Sequence, residues 1–389
     1  MSLRRLVLVT RRFWPLVGGA ERAMANLATE LAARGLEVTV LTARWEPHWP
    51  AEIAYREVPV VRVPQASVRY WGTLQYMRAV RRWLRENPDR YDLVCVSMLK
   101  HSAYATLREV VGRVPVVLRA AGGGRSGDCI WQLEARMGAR IKRRCMRADA
   151  FIAPSHTIQR ELVAAGYPRA RIHYLPNGVR IPPPVDDEAK RRARMALATA
   201  NASLVLPDQA PLAVFTGRID AAKGLAELVA AWRTVADRRR DARLWIVGDG
   251  PFESDLRRQI EAENLSSRVV LTGIFDDVSD VLAAADLFVL PSHEEGMSQS
   301  LLEAMAAGLP TVASDIVGNR SLLDDGREGR LVPPRRADTL AAAILAMIEN
   351  PADAAELGAA ARQRVSREHS LERMADDYLA VFERVLAHC

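Results

Sequence analysis

Short apolar runs alternate with amphipathic stretches along almost the whole chain. Residues 3–10, 36–41, 58–63, 91–97, 115–118 and 150–153 are aliphatic-rich runs of strand length, as strands buried on both faces require. Helical patterns fall between them, from Gly18-Gly19-Ala20-Glu21 to about Ala33, over 73–85, over 102–111, and from near Ser155, with one long basic helix over 130–147. In 73–85, Leu74, Met77, Val80 and Leu84 are spaced for one buried face, with arginines opposite. A second series has strands at 212–216, 243–247, 269–271, 286–290 and 311–314, and a short edge segment at 331–332. Its helices cover 225–237, 278–284, 299–307 and 338–349, and another runs through Arg364. A last helix starts at His369-Ser370 and packs Met374, Tyr378, Val381, Phe382 and Val385. This alternation predicts an α/β fold of doubly wound parallel sheets with helices on both faces.

The series break after Asn177-Gly178, where Ile181-Pro182-Pro183-Pro184-Val185-Asp186-Asp187 reads as a linker. At 389 residues the chain is too long for one ordinary core and suits two domains, 1–180 and 181–369. No apolar run reaches the roughly 18–20 residues of a membrane helix. The N-terminal MSLRRLVLVTRRFWP is only superficially like a signal peptide, because charge returns at Arg11-Arg12 with no cleavage site. Cys95, Cys129, Cys145 and Cys389 form no CxxC pair and no metal-ligand spacing, which fits a reduced cytoplasmic protein.

The net charge is +7, and only Lys100, Lys142, Lys190 and Lys223 among 54 basic residues are lysine. No aromatic-interleaved basic motif accompanies the excess, so nucleic acid is not expected as a partner. The basic helices over 71–85 and 130–147 leave two readings: each packs one face and solvates the other, or they dock on an anionic membrane.

The chain is organised around residues 286–315, which read as strand, acidic loop, helix, glycine stop and strand. Glu295 falls in the loop and Glu303 inside the helix opened by Ser298 or Gln299. Such a loop sits where open α/β sheets bind ligands, beside a helix start that attracts phosphate. On spacing alone the unit is either a nucleotide-sugar site or an ordinary strand–helix–strand with solvated acids. Gly217-Arg218-Ile219-Asp220 with Lys223-Gly224 again lies between strand and helix, where Arg218 and Lys223 can approach a diphosphate. Gly18-Gly19 allow close approach at a helix start. The loop 122–128 offers Gly123, Arg125 and Asp128 to a sugar or acceptor phosphate, or is a plain connector.

The Glu, seven residues, Glu pattern inside PSHEEGMSQSLLEAMAAGLPTVAS resembles the signature of the family-4 retaining glycosyltransferases. Gly217-Arg218 with Lys223-Gly224 is similar to that family's GR-x-x-x-x-KG motif, Gly18-Gly19-Ala20-Glu21 to its GG-A/V-E segment, and Asn177-Gly178 to its PNG-V element. The resemblance implies the GT-B fold, two Rossmann-like domains facing across a cleft. It gives 1–180 the acceptor, 181–369 the donor, and returns 370–389 to the first domain as a helix. It implies that Arg218 and Lys223 neutralise the leaving nucleoside diphosphate, that Glu295 contacts the transferred sugar, and that Glu303 bonds the ribose hydroxyls. Met297, Ser298 and Gln299 would offer amides to the sugar or β-phosphate, Gly248 and the 272–275 segment with Ile274 would frame the base, and Glu21 would cap its helix. Gly18 and Gly19 would line the donor–acceptor side. Many members carry a histidine after the strand at 115–118, whereas this chain reads Arg119-Ala120-Ala121.

The expected protein is thus a cytoplasmic, retaining, metal-independent hexosyltransferase without a cofactor. It would take a nucleoside-diphosphate sugar, with UDP the expected nucleotide, to a hydroxyl acceptor in polysaccharide or glycolipid assembly. A lipid-linked acceptor would place it peripherally at the inner face of the membrane. The rivals are an epimerase of the same fold and a non-catalytic nucleotide-binding subunit of a transferase complex.

Overall fold

In the computed structural model, which describes residues 3–16, 18–124 and 127–388, the aliphatic runs form two separate sheets. The chain divides into two compact units, Met1–Gly178 with Leu371–Cys389, and Val179–Ser370. The first unit runs β1 (Arg5–Val9), α1 (Gly19–Ala33), β2 (Glu37–Arg44), β3 (Glu52–Tyr55), β4 (Val58–Pro64), α2 (Arg69–Glu86), β5 (Leu93–Ser97) and α3 (His101–Val110). It continues with β6 (Val116–Arg119), α4 (Asp128–Glu134), α5 (Gly138–Cys145), β7 (Ala150–Ala153), α6 (His156–Ala164) and β8 (Ile172–Tyr174). Its strand order is β3-β4-β2-β1-β5-β6-β7-β8, parallel except where β3 meets β4.

The period of two along each strand divides the core. On β1, Leu6 and Leu8 face α1, whereas Val7 and Val9 face α2 and α3. The last helix buries Met374, Tyr378, Val381 and Phe382 in one cluster with Met24, Leu27 and Leu31 of α1.

The second unit opens with α7 (Asp187–Ala200), β9 (Leu212–Thr216), α8 (Leu225–Arg238), β10 (Arg243–Val247), α9 (Glu253–Ala262) and β11 (Val269–Gly273). Then come α10 (Ser279–Ala284), β12 (Leu287–Leu290), α11 (Gln299–Ala306), β13 (Thr311–Ser314), α12 (Val317–Arg320) and β14 (Arg330–Val332). The unit closes with α13 (Ala337–Glu349) and α14 (Pro351–Glu368), and α15 (Leu371–Ala387) returns to the first unit. The order β11-β10-β9-β12-β13-β14 is wholly parallel, and Trp232 and Trp245 are fully buried beside it. In each sheet the strand order reverses beside the first strand, at β1 and at β9, so ligand crevices belong at the carboxyl ends of those strands.

Three features depart from the sequence reading. The single helix over 130–147 is two helices, because Ala135 is extended and the chain doubles back onto α4. A Cβ on Gly138 would lie 2.0 Å from the Gln132 carbonyl, so glycine permits that turn. The hairpin of β3 with β4 was hidden by its turn: Arg56 and Glu57 both take positive φ, as a two-residue primed turn needs, without the usual Asn-Gly. On α2, Tyr76 joins Val80 and Leu84 in the core and bonds Ser102 at 3.0 Å, while Leu74 and Met77 are only half-buried. Among the described residues, no helix is long and apolar enough to cross a membrane.

Candidate functional site

At the carboxyl edge of the second sheet, β9 and β10 end in glycines that touch. Gly217 has φ +152 and Gly248 φ +139, and a Cβ on Gly248 would sit 1.9 Å from the Gly217 carbonyl. Gly217 N–H donates to Val247 O at 2.9 Å, and Gly248 N–H to Gly273 O at 2.8 Å. The bare backbone there leaves room that a side chain would fill.

Beyond Gly217, Ile219 is fully buried and anchors the loop, while Arg218 is 61% exposed, 3.8 Å from Asp220. The Asp220 carboxylate accepts from Ala222 N–H at 3.1 Å, winding residues 221–223 into a 3-10 turn. Gly224 stops it in the left-handed region, where a Cβ would be 2.1 Å from the Pro291 carbonyl. This close approach brings the loop after β9 onto the loop after β12. His293 N–H donates to Ala222 O at 2.8 Å, and Lys223 Nζ donates to Glu295 Oε1 at 2.6 Å. Ser292 Oγ donates to the same oxygen at 2.8 Å, so the Glu295 carboxylate, 10% exposed, is held from two sides. His293 Nε2 lies 2.9 Å from Glu227 Oε1 on α8.

Ser298 caps α11, its hydroxyl accepting from Leu301 N–H at 3.3 Å. Met297 precedes it, Gln299 is the first helical residue, and Glu303 stands half-buried one turn on. Ile274, 50% exposed, follows β11 at the same edge of the sheet. Ser292, Glu227 and Gly318 are contributions that the sequence reading missed. A Cβ on Gly318 would lie 2.3 Å from the Glu295 carbonyl, so α12 packs against the acidic loop. Their only sequence signal is a glycine or polar residue near a strand end or helix start, too common to single out.

In the first unit, Gly18 precedes α1 and Gly19 begins it. The Glu21 carboxylate folds back so far that a Cβ on Gly18 would meet its Oε2 at 2.2 Å, and Arg12 Nε lies 3.3 Å from Oε1. After β6, Gly123 lies against Ile158, and Gly124 N–H donates to Glu161 at 2.8 Å. Asp128 is 2% exposed and accepts from Ala121 N–H at 2.9 Å, anchoring the loop; burial pushes its carboxyl above the usual range. Arg125 lies outside the described residues. Arg119 is buried and donates to Asn177 Oδ1 at 2.5 Å. Among the described residues, no group of three His, Cys, Asp or Glu could hold a metal ion.

Known proteins match both units. The model of "Glycosyltransferase Family 4" matches residues 17–181, and that of "Glycosyl transferases group 1" matches residues 210–350. The alpha-D-kanosaminyltransferase of Streptomyces kanamyceticus is 26% identical over 384 residues, 92% of this chain and 98% of that protein. The chain spans about half the length of further curated relatives it matches. Sucrose-phosphate synthase from Thermosynechococcus elongatus superposes with TM-score 0.79 at 23% identity, covering 99% of this chain and all of the other. HepE of Anabaena, in complex with UDP and glucose, gives TM-score 0.79 at 20% identity, covering 98% and 99%. The fold is therefore GT-B, and the chain belongs to the family-4 glycosyltransferases, enzymes that transfer sugar from a nucleotide-sugar donor in glycan biosynthesis.

Proposed function

We propose that the protein is a retaining, metal-independent transferase that moves a hexose from a UDP-sugar to a hydroxyl acceptor. The Lys223–Glu295 pair carries this reading: a cation and a carboxylate share the carboxyl edge of the second sheet, 2.6 Å apart and half-buried. The second unit takes the donor and the first the acceptor. UDP is favoured by likeness to a protein solved with UDP and glucose.

In this mechanism Lys223 and Arg218 stabilise charge that grows on the diphosphate as its bond to the sugar carbon breaks. Arg218, already solvent-facing, reaches the phosphates by its planar fork, and Lys223 acts as a point charge. Glu295, fixed by Lys223 and Ser292, accepts hydrogen bonds from the sugar hydroxyls. Glu303 accepts from the ribose hydroxyls, Gly217 and Gly248 leave room for the nucleotide, and Ile274 borders the base. The amides of Met297, Ser298 and Gln299 hold sugar hydroxyls or the β-phosphate. Gly18 and Gly19 are assigned to the donor–acceptor side, Gly123 and Arg125 to the acceptor side, and Asp128 anchors the loop that carries them. The leaving phosphate oxygen takes the proton of the acceptor hydroxyl while the new bond forms on the same face, which keeps the anomeric configuration. Positioning and charge stabilisation then supply the catalysis, without a general base from the protein.

The setting we propose is polysaccharide or glycolipid assembly at the cytoplasmic face of the membrane. Supporting it, α2 exposes Tyr70 and Trp71, at 80% and 55%, ahead of Arg78, Arg81, Arg82 and Arg85. The test is transfer from a panel of nucleotide sugars with chelator present, the product's anomeric configuration being read by NMR. Turnover with UDP-sugars and retained configuration is expected. Inverted product, or turnover that needs added divalent metal, would overturn the mechanism.

A further inference from the structure

The first sheet carries a second polar cluster, at the crevice where its strand order reverses between β1 and β5. Arg11 follows β1, and Lys100 and His101 follow β5. Arg11 donates from Nε to Gln65 at 2.9 Å and from Nη2 to Thr73 at 2.9 Å. Its guanidinium lies 5.5 Å from the Trp45 ring and 5.4 Å from that of Tyr76. Among the described residues, no carboxylate lies within 4.0 Å of Arg11, although burial pulls its guanidinium below its usual value.

His101 opens α3, whose first turn has no side-chain cap, and meets Trp131 edge-on at 5.1 Å. Lys100 stands 5.5 Å from the same ring. Burial, Arg11 and Lys100 together push the imidazole down to about 4, so it is neutral at physiological pH. The acid facing this group is Asp128, 3.8 Å from Lys100, and it is buried and itself pushed toward its protonated form. Arg11 and Lys100 therefore both bear on His101 at an uncapped helix start, with Lys100 paired to Asp128 and Arg11 paired to no acid among the described residues. A half-buried cation without an acid is costly unless it meets an anion.

We propose that this crevice binds a phosphate group carried by the acceptor, an inference that rests on reading the first unit as the acceptor side. Arg11 supplies its free Nη1 edge, Lys100 a point charge, and His101 a ring N–H. Trp45 and Trp131 form apolar walls for the sugar or chain attached to the phosphate. A bound dianion favours the imidazolium, so His101 titrates upward on binding.

Calorimetry with UDP saturating, using glucose 1-phosphate, inorganic phosphate, glucose, and phosphatidylglycerol vesicles, tests this on the full chain and on Arg11→Gln and Lys100→Gln. Glucose 1-phosphate should bind where glucose does not, at least tenfold more weakly in each variant, with the UDP affinity unchanged. If only vesicles bind, with the same dependence on Arg11 and Lys100, the phosphate is that of a lipid headgroup. No phosphate-bearing probe binding, or binding that both variants retain, would overturn the proposal. Failure of UDP itself to bind the native chain would instead sink the donor reading, leaving the Arg11 and Lys100 comparison to be judged without UDP.

Discussion

Lys223 Nζ lies 2.6 Å from Glu295 Oε1 across 72 residues of sequence. The two belong to loops that leave β9 and β12, and these strands pair Ala213 with Leu287 and Val214 with Phe288. The sheet thus sets the two loops side by side, and Gly224, pressed on the Pro291 carbonyl, closes the remaining gap.

Removing the ammonium should damage the reaction more than the fold. Lys223→Met leaves the Glu295 carboxylate with Ser292 as its other partner and, on the proposed mechanism, takes a cation from the diphosphate. Losing one such stabilising group costs about 100- to 1000-fold in kcat. Glu295→Gln should also lose activity, and the double variant should fall far short of the product of the two losses, since the residues act as one unit. Steady-state kinetics on all four proteins measures the coupling. Additive losses would mean that the contact carries no function.

Glycine at position 248 is set by space as well as by φ. Gly248→Ala puts a Cβ at 1.9 Å from the Gly217 carbonyl, in a conformation that L residues rarely adopt. A strained backbone of this kind costs about 1–3 kcal/mol, so thermal unfolding should drop by several degrees and UDP binding should weaken with it. Gly273→Ala is the control: its φ is +78, but nothing lies within 4 Å, so only the conformational part of the loss should appear. Equal losses at both positions would show that close packing at Gly248 contributes nothing.

Sequence and structure agree where a pattern is local and long, and part where a distant contact decides. Parallel strands buried on both faces announce themselves by unbroken aliphatic runs, as in Leu93–Ser97, because no polar residue is tolerated on either side. The β3–β4 hairpin was illegible because Arg56-Glu57 gives no turn signal. The α4–α5 break depends on Gly138 against Gln132, and a lone glycine in a helical pattern does not predict a break. At the site, the motif residues were readable one by one. That Lys223 is bound to Glu295, and that Asp128 is an internal anchor, depends on which loops the sheet sets together.

The terminal helix offers a prediction that separates the two units. Phe382 is fully buried among Leu27, Leu31 and neighbouring core residues of the first unit, 5.7 Å from the Tyr378 ring. Phe382→Ala should cost about 3–5 kcal/mol. For a unit of this size that is a fall in Tm on the order of 10 °C. UDP binding, assigned to the other unit, should survive below the transition. Calorimetric scans with and without UDP read both effects, and loss of UDP binding well below the variant's transition would contradict the assignment.

His101 should make the first unit acid-sensitive in a defined window. Burial, with Arg11 and Lys100 nearby, holds its folded pKa at about 4, against 6.5 for a free imidazole. Because the folded pKa is depressed, the unfolded chain binds the extra proton first. The contribution is therefore fully present above pH 6.5 and is lost as pH falls toward 4. A shift of this size corresponds to about 3 kcal/mol. His101→Gln cannot take up that proton, so its unfolding free energy should fall less between these two pH values than that of the native chain. Subtracting the two curves removes contributions common to both proteins, including those of Asp128 and His173, whose pKa values are also shifted. Denaturant titrations at half-unit pH steps test it, and parallel curves for the two proteins would show that His101 is not held neutral.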